Sequence, residues 1–199
     1  MKLPKMNSIK MLVSFSLSII LLASSCAQSN KNKNTDTEKS TTVKEKVETP
    51  TIGIHAAVMS NNLEAVKQHI AAGTDINIKD QMSGSTPLIS AATFGKTTIV
   101  KALIDGKADL SIKNNDGSTA LHTAAFFCHV EIVQLFIDAK ADKSIKNNFQ
   151  ATARESILAP FEQMKPVYKM LQQQLGPLGL KIDLAEIEKN RPVIAMMLQ

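Results

Sequence analysis

Residues 117–133 read GSTALHTAAFFCHVEIV, and their meaning emerges only against the rest of the chain. The stretch holds His122, Cys128 and His129 close together, which by itself invites a metal centre or a reactive thiol. It also repeats. Leu121–Val133 (LHTAAFFCHVEIV) aligns without a gap on Leu88–Val100 (LISAATFGKTTIV) and Ile54–Val66 (IHAAVMSNNLEAV). The starts lie 34 and 33 residues apart. Asp75, Asp109 and Asp142 recur at the same steps, and Thr86, Thr119 and Thr152 recur every 33 residues. A period near 33 predicts stacked helix–turn–helix units.

Each recurring residue type has a physical reason. Thr86, Thr119 and Thr152 are expected helix N-caps whose hydroxyls satisfy orphan amides. Pro87 falls at a first helical position, where a missing N–H costs nothing. Ala91-Ala92 and Ala124-Ala125 let one short helix lie close to its neighbour. Ile99, Val100, Leu103 and Ile104 have the spacing of one buried helical face, which Ile132, Val133, Phe136 and Ile137 repeat. One such unit cannot bury its face alone, so the units must stack.

These residues resemble the ankyrin repeat. The resemblance rests on Gly84-Ser-Thr-Pro-Leu88, Gly117-Ser-Thr-Ala-Leu-His122, the two alanine pairs, Ile99-Val100, Ile132-Val133 and Gly73-Thr-Asp75. It implies an all-α solenoid of helix–turn–helix units with β-turn fingers. It also implies protein binding through the fingers and the concave face of the first helices. The fingers map to 79–85, 113–118 and 146–150. The groove positions map to Met59 and Ser60, Thr93 and Phe94, Phe126 and Phe127. The candidate partner-binding residues are therefore Met59, Thr93, Phe94, Asn115, Asp116, Phe126, Phe127 and Phe149. The chain has seven Phe, one Tyr and no Trp, so three Phe at groove positions and a fourth on a finger predict one apolar interaction patch. Phe94→Ala and Phe127→Ala are then expected to weaken capture and leave the melting temperature nearly unchanged.

The same register gives the His and Cys residues of the opening stretch ordinary work. His122 and His55 take the place where this family puts a His that bonds within the turn network, and His129 follows the turn between helices. Cys128 falls where Gly95 stands, at a position favouring positive φ, and costs about 1 kcal/mol there. Asn61 fills the same place in the first unit and tolerates that conformation better. A metal or small-ligand site at Cys128 and His129 is the alternative reading. Lys107 and Lys140 replace the glycine that Gly73 keeps at the end of the second helix, predicting weaker helix ends.

The units are read as 52–83, 84–116, 117–149 and a degenerate 150–176, followed by a divergent helical C-terminal cap at 177–199. Pro160 and Pro166 are expected to break the fourth unit, with Val167, Met170 and Leu171 restoring a second helix that Gly176 caps. Asp183 reads as an N-cap with Glu186 at the third position. Residues 190–198 read as the turn and second helix of a further unit. Met164, Met170, Met196 and Met197 are expected to fill the core.

Residues 1–25 read as a secretory signal. Lys2, Lys5 and Lys10 precede an apolar run from Met11 to Ala23, too short for a comfortable membrane span. Ala23-Ser24-Ser25 before Cys26 resembles the lipobox of bacterial lipoproteins, with Ala23 where that family usually has Leu. The resemblance implies lipidation at Cys26 and a membrane anchor facing the periplasm, with the outer membrane favoured because Ala27 rather than an acidic residue follows. An ordinary signal and a soluble periplasmic or secreted product is the alternative. Residues 26–51 are almost devoid of apolar side chains and read as a disordered polar tether reaching roughly 25–30 Å.

Composition narrows the function. The chain carries 23 basic and 18 acidic residues, and the predicted signal takes three Lys and no acid, leaving a net +2. With no basic stripe, nucleic acid is not an expected partner. If Cys26 carries lipid, Cys128 has no disulfide partner within the chain. No Ser-His-Asp, paired-carboxylate, P-loop or metal-ligand spacing stands out. The expectation is a monomeric, membrane-tethered module that binds another envelope protein without cofactor or catalysis. An enzyme hidden in the C-terminal segment is the remaining class.

Overall fold

The computed structural model describes residues 48–199. The expected signal, the lipidation position Cys26 and tether residues 26–47 lie outside the described residues.

Three helix pairs build the array: α1 (Ile54–Met59) with α2 (Leu63–Ala71), α3 (Pro87–Thr93) with α4 (Thr97–Asp105), and α5 (Ala120–Phe126) with α6 (Val130–Asp138). There is no strand among the described residues; the fingers between pairs are turns. Helices α1, α3 and α5 stack in one row and α2, α4 and α6 in a second. Ala91, Ala92, Ala124 and Ala125 are wholly buried between them, where a larger side chain would force the helices apart. Ile99, Val100, Leu103, Ile132, Val133 and Phe136 fill the space between the rows, as their spacing predicts. Ile104 and Ile137 are only half-buried.

Every unit uses left-handed backbone at three places. The turn within a helix pair has Asn61 (φ 56°), Gly95 (65°) and Cys128 (58°). The end of the second helix has Gly73 (72°), Lys107 (68°) and Lys140 (58°). The finger exit has Gly84 (66°), Gly117 (73°) and Gln150 (60°). All the positive-φ non-glycine residues described occupy one of these places.

The C-terminal segment departs from expectation. The first helix of the fourth unit shrinks to a 3-10 turn, Glu155–Ile157, which continues the row of α5. The second-row position next to α6 is taken by α8 (Leu184–Met197). Between them comes α7 (Phe161–Leu175), a helix outside both rows that packs on α8. Pro160 is the N-cap of α7, and Pro166 lies inside that helix without ending it. Likewise Pro192 lies inside α8, so residues 190–198 hold no interhelix turn. Both prolines are exposed, as are Glu162 and Glu188, whose carbonyls lose their amide partners; water can solvate them. Gly176 is the C-cap of α7 as expected, but in right-handed backbone (φ −55°), and the left-handed residue comes later, at Gly179 (φ 98°). Asp183 caps α8 as expected, accepting from the Ala185 and Glu186 amides at 2.9 and 3.1 Å. Met164 and Met197 pack on the core, whereas Met170 and Met196 are exposed.

Arg191, buried within α8, organises this end. Its guanidinium donates to the carbonyls of Ile157 and Ala159 and, at 3.1 Å, to the Tyr168 hydroxyl oxygen. None of the ion pairs among the described residues involves it. Its charge is held by neutral acceptors and by the Phe161 ring 5.9 Å away.

Candidate functional site

The fingers are built from repeated side-chain-to-backbone bonds. Asp80 accepts from the amides of Met82 (2.9 Å), Ser83 (2.7 Å) and Ser85 (2.8 Å). Burial pushes its carboxyl up, but the bonds from Ser83, Ser85 and Met82 together outweigh this and hold it below the usual carboxylate range. Asn114 and Asn147 do the same one and two units on. The Asn114 side chain accepts from Asp116 and Ser118, and that of Asn147 from Phe149 and Ala151. These three residues were not singled out from the sequence, although an Asx residue recurring in register is a visible signal.

Adjacent fingers are stitched together. The Asn115 backbone amide donates to Ser83 O (2.9 Å) and its side-chain amide to Met82 O (3.1 Å). Asn148 repeats this on Asp116 O (3.0 Å) and Asn115 O (2.9 Å). The stitch explains the glycines. A Cβ on Gly84 would lie 2.3 Å from Asn115 Oδ1, and one on Gly117 would lie 2.4 Å from Asn148 Oδ1. Gln150 ends the series and has no following finger against it, so a side chain fits.

The caps also differ in detail. Thr86 accepts from the Ile89 amide (3.2 Å), and Thr152 from that of Glu155 (3.2 Å), with the Glu155 carboxylate returning to the Thr152 amide. At Thr119 the bonding runs to His122 instead. Its amide donates to Nδ1 (3.3 Å) and its hydroxyl lies 2.9 Å from the same nitrogen. Nε2 of His122 then donates to Ala151 O (3.1 Å), tying the third unit to the next. His55 reaches Ile78 O in the same way (3.0 Å). Burial depresses the His122 pKa, which suits a neutral ring with one accepting nitrogen. His69, which sequence reasoning passed over, is buried between Thr74 and the Ile52 carbonyl and fixes the entry of the chain.

The expected aromatic patch is divided. Phe149 is 58% exposed at a finger tip, and Met82 on the first finger is 80% exposed. Met59, Thr93 and Phe94 are partly exposed, while Asn115 and Asp116 are exposed on the second finger. The Asn115 amide, however, is committed to the stitch. Phe127 is only 9% exposed. It borders a small cavity of about 70 Å³ that Lys181, Asp183 and Ile187 line from the other side, so the C-terminal segment covers it. Phe126 is half-buried against Tyr168, with ring centroids 4.8 Å apart, and its carbonyl accepts the Tyr168 hydroxyl at 2.8 Å. The third unit's groove positions are therefore filled by the chain itself. Periodicity carries no sign of this, because the fourth unit opens in register with the other repeats.

Cys128 and His129 are each committed to other surroundings. The Cys128 side chain is buried, and burial pushes its thiol up to about 11, which disfavours the thiolate that would ligate or attack. His129 turns its Nε2 to Thr93 O (3.3 Å) and lays its ring over Gly95, where a Cβ would meet it at 2.9 Å. Burial lowers the His129 pKa as well. No three His, Cys, Asp or Glu side chains gather as a metal-binding group among the described residues.

Two rows of short helices with a ladder of fingers define a helical-repeat binding scaffold. Residues 54–147 match the family described as "Ankyrin repeats (3 copies)" and are an ankyrin-repeat array. Over 62 residues, 31% of this chain, it is 44% identical to a putative ankyrin repeat protein of fowlpox virus (strain NVSL) and spans 14% of that protein. Over 63 residues, 32% of the chain, it is 42% identical to protein phosphatase 1 regulatory subunit 27 of Homo sapiens, spanning 40% of that protein. The crystal structure of the ankyrin repeat domain of Bcl-3 superposes with a TM-score of 0.51 at 30% identity, covering 52% of this chain and 45% of that one. The chain thus spans less than half the length of each of these relatives. Ankyrin repeats are protein–protein interaction modules and generally non-catalytic.

Proposed function

We propose that this protein is a membrane-tethered ankyrin module that captures another protein of the cell envelope on its finger face. The observation that carries the reading is the pair of exposed apolar tips, Met82 and Phe149, on fingers whose backbone is rigidly stitched. Exposed apolar side chains on a pre-organised frame bind without a large ordering cost. Partly exposed Met59 and Phe94, at the ends of α1 and α3, add apolar surface on the first-row helices. The lipobox-like run before Cys26, with the polar tether after it, supports an exported, lipid-anchored protein facing the periplasm, with the outer membrane as the favoured anchor.

Two experiments test this. Met82→Ala and Phe149→Ala should each weaken capture about tenfold and shift the melting temperature by no more than about 2 °C, because both side chains face solvent. Undiminished capture by the double variant would sink the binding reading. Cys26→Ser should move the protein from the membrane to the soluble fraction and abolish labelling by a fatty-acid probe. Unchanged membrane retention would remove the lipid anchor.

A further inference from the structure

We propose that residues 43–47, the end of the tether that meets the array, dock through Val43 and Val47 in the outer-row groove between α2 and α4. The tether then leaves from the outer row and keeps clear of the first-row helices. The docking stands on the groove and the segment; its use in presenting the finger face rests on the binding reading above.

The groove follows from one small residue. Helices α2 and α4 pack side by side, and Leu63, Ile70, Ala71, Ala102 and Gly106 line a mostly apolar groove of about 550 Å³ between them. In the next unit Leu135 stands at the place of Ala102 and packs on the core. Ala102 ends at its Cβ and leaves that space open. Ile70 lies over Gly106, where a Cβ would meet it at 3.0 Å, so the floor of the groove is closed.

The chain enters the array beside this groove. Glu48 O accepts from Gln68 Nε2 at 2.9 Å, and Gln68 follows Lys67, which lines the groove, on α2. Residues 43–47 lie outside the described residues. Five residues reach about 17 Å, more than the roughly 10–12 Å width of a helix. The segment is therefore long enough to cross α2 and enter the groove.

The segment has the side chains that the groove calls for. Between Ala27 and Thr51, Val43 and Val47 are the only branched apolar residues. Four residues apart, they share one face in a helix and in a strand alike. Lys44, Glu45 and Lys46 lie between them. The rim is mixed in the same way: Lys67 pairs with Glu64 at 3.2 Å and Lys101 with Asp105 at 2.9 Å, all four exposed. Every charge of the segment has an opposite charge available at the rim.

Photocrosslinking of the full chain tests the docking. A photoreactive residue at Val47 should link within the same chain to residues 63–71 or 98–106, read by peptide mass spectrometry. Ala102→Leu fills the groove as Leu135 fills the next, and should cut that internal link about tenfold, the equivalent of one valine left unburied. Its melting temperature should not fall. Val43→Ser, which lies outside the packed array, should lower the link in the same way. A photoreactive residue at Asn32 should give no preferred site. The docking is overturned by links from position 47 spread over the array surface, or by a link that Ala102→Leu leaves unchanged. It is equally overturned by an adduct of two chains, which would give the groove to a second copy, or by an adduct with another protein. Because the link lies within one chain, its absence leaves capture at Met82 and Phe149 standing. Cys26→Ser should leave the link intact, so loss of the anchor reading is read separately.

Discussion

Single residues decide what this surface offers. Phe127 and Phe94 stand at like positions in successive units, but Phe127 is buried and Phe94 only partly so. Phe127→Ala should therefore cost about 3 kcal/mol and lower the melting temperature by roughly 6–12 °C. A shift of under about 2 °C would mean that the cover from residues 181–187 is not in place. Cys128 holds left-handed backbone (φ 58°) at the place of Gly95, over which the His129 ring lies. Two histidines give stability a defined pH dependence. Burial holds both His122 and His129 below 6.5 when folded. The unfolded chain thus takes up protons first, and the stabilisation from the neutral rings is complete above about pH 6.5 and lost as pH falls below it. Asp109 and Asp142, lowered by bonds from Ser111 and Ser144, lose their contribution only below 3.8. The melting temperature should fall between about pH 7.5 and 5.5, with a shallower slope in His122→Gln. A flat profile across that span would contradict the buried neutral rings.

Elements that repeat were legible in the sequence, and those that break the repeat were not. The six array helices, the Pro87 start and the buried faces follow from period and spacing, because stacking forces every unit to bury the same positions. At the C-terminus, Val167, Met170 and Leu171 mimic a second-row helix, yet α8 takes that place. Local spacing cannot say which of two amphipathic helices wins a shared slot. In its place α8 buries Ile187 and Ile194 and sends Arg191 to the carbonyls of Ile157 and Ala159, a long-range pairing with no period. The candidate site was half legible for the same reason. Finger positions follow from register, but the cover over Phe126 and Phe127 depends on that unpredicted packing. Where register does hold, it predicts a gain. Lys107 and Lys140 sit at left-handed helix ends and are exposed, so Lys107→Gly and Lys140→Gly should each stabilise by about 1 kcal/mol. Thermal melts should rise by about 2–4 °C per substitution; a fall would show that these lysines make contacts that outweigh their backbone strain.

At the scale of the molecule, the described residues form a stack sealed at one end by its own chain. The first row and fingers stay open along the first two units, while α7 and residues 181–187 occupy the third. Capture should therefore centre on Phe94, Met82 and the Phe149 tip, with the outer row uninvolved. Photocrosslinking in intact cells is the sharpest test, with a photoreactive residue placed singly at Phe94, at Phe149 and at exposed Lys101 of the outer row. Positions 94 and 149 should give one adduct of the same mass, and position 101 none. An adduct from 101, with none from 94 or 149, would contradict it.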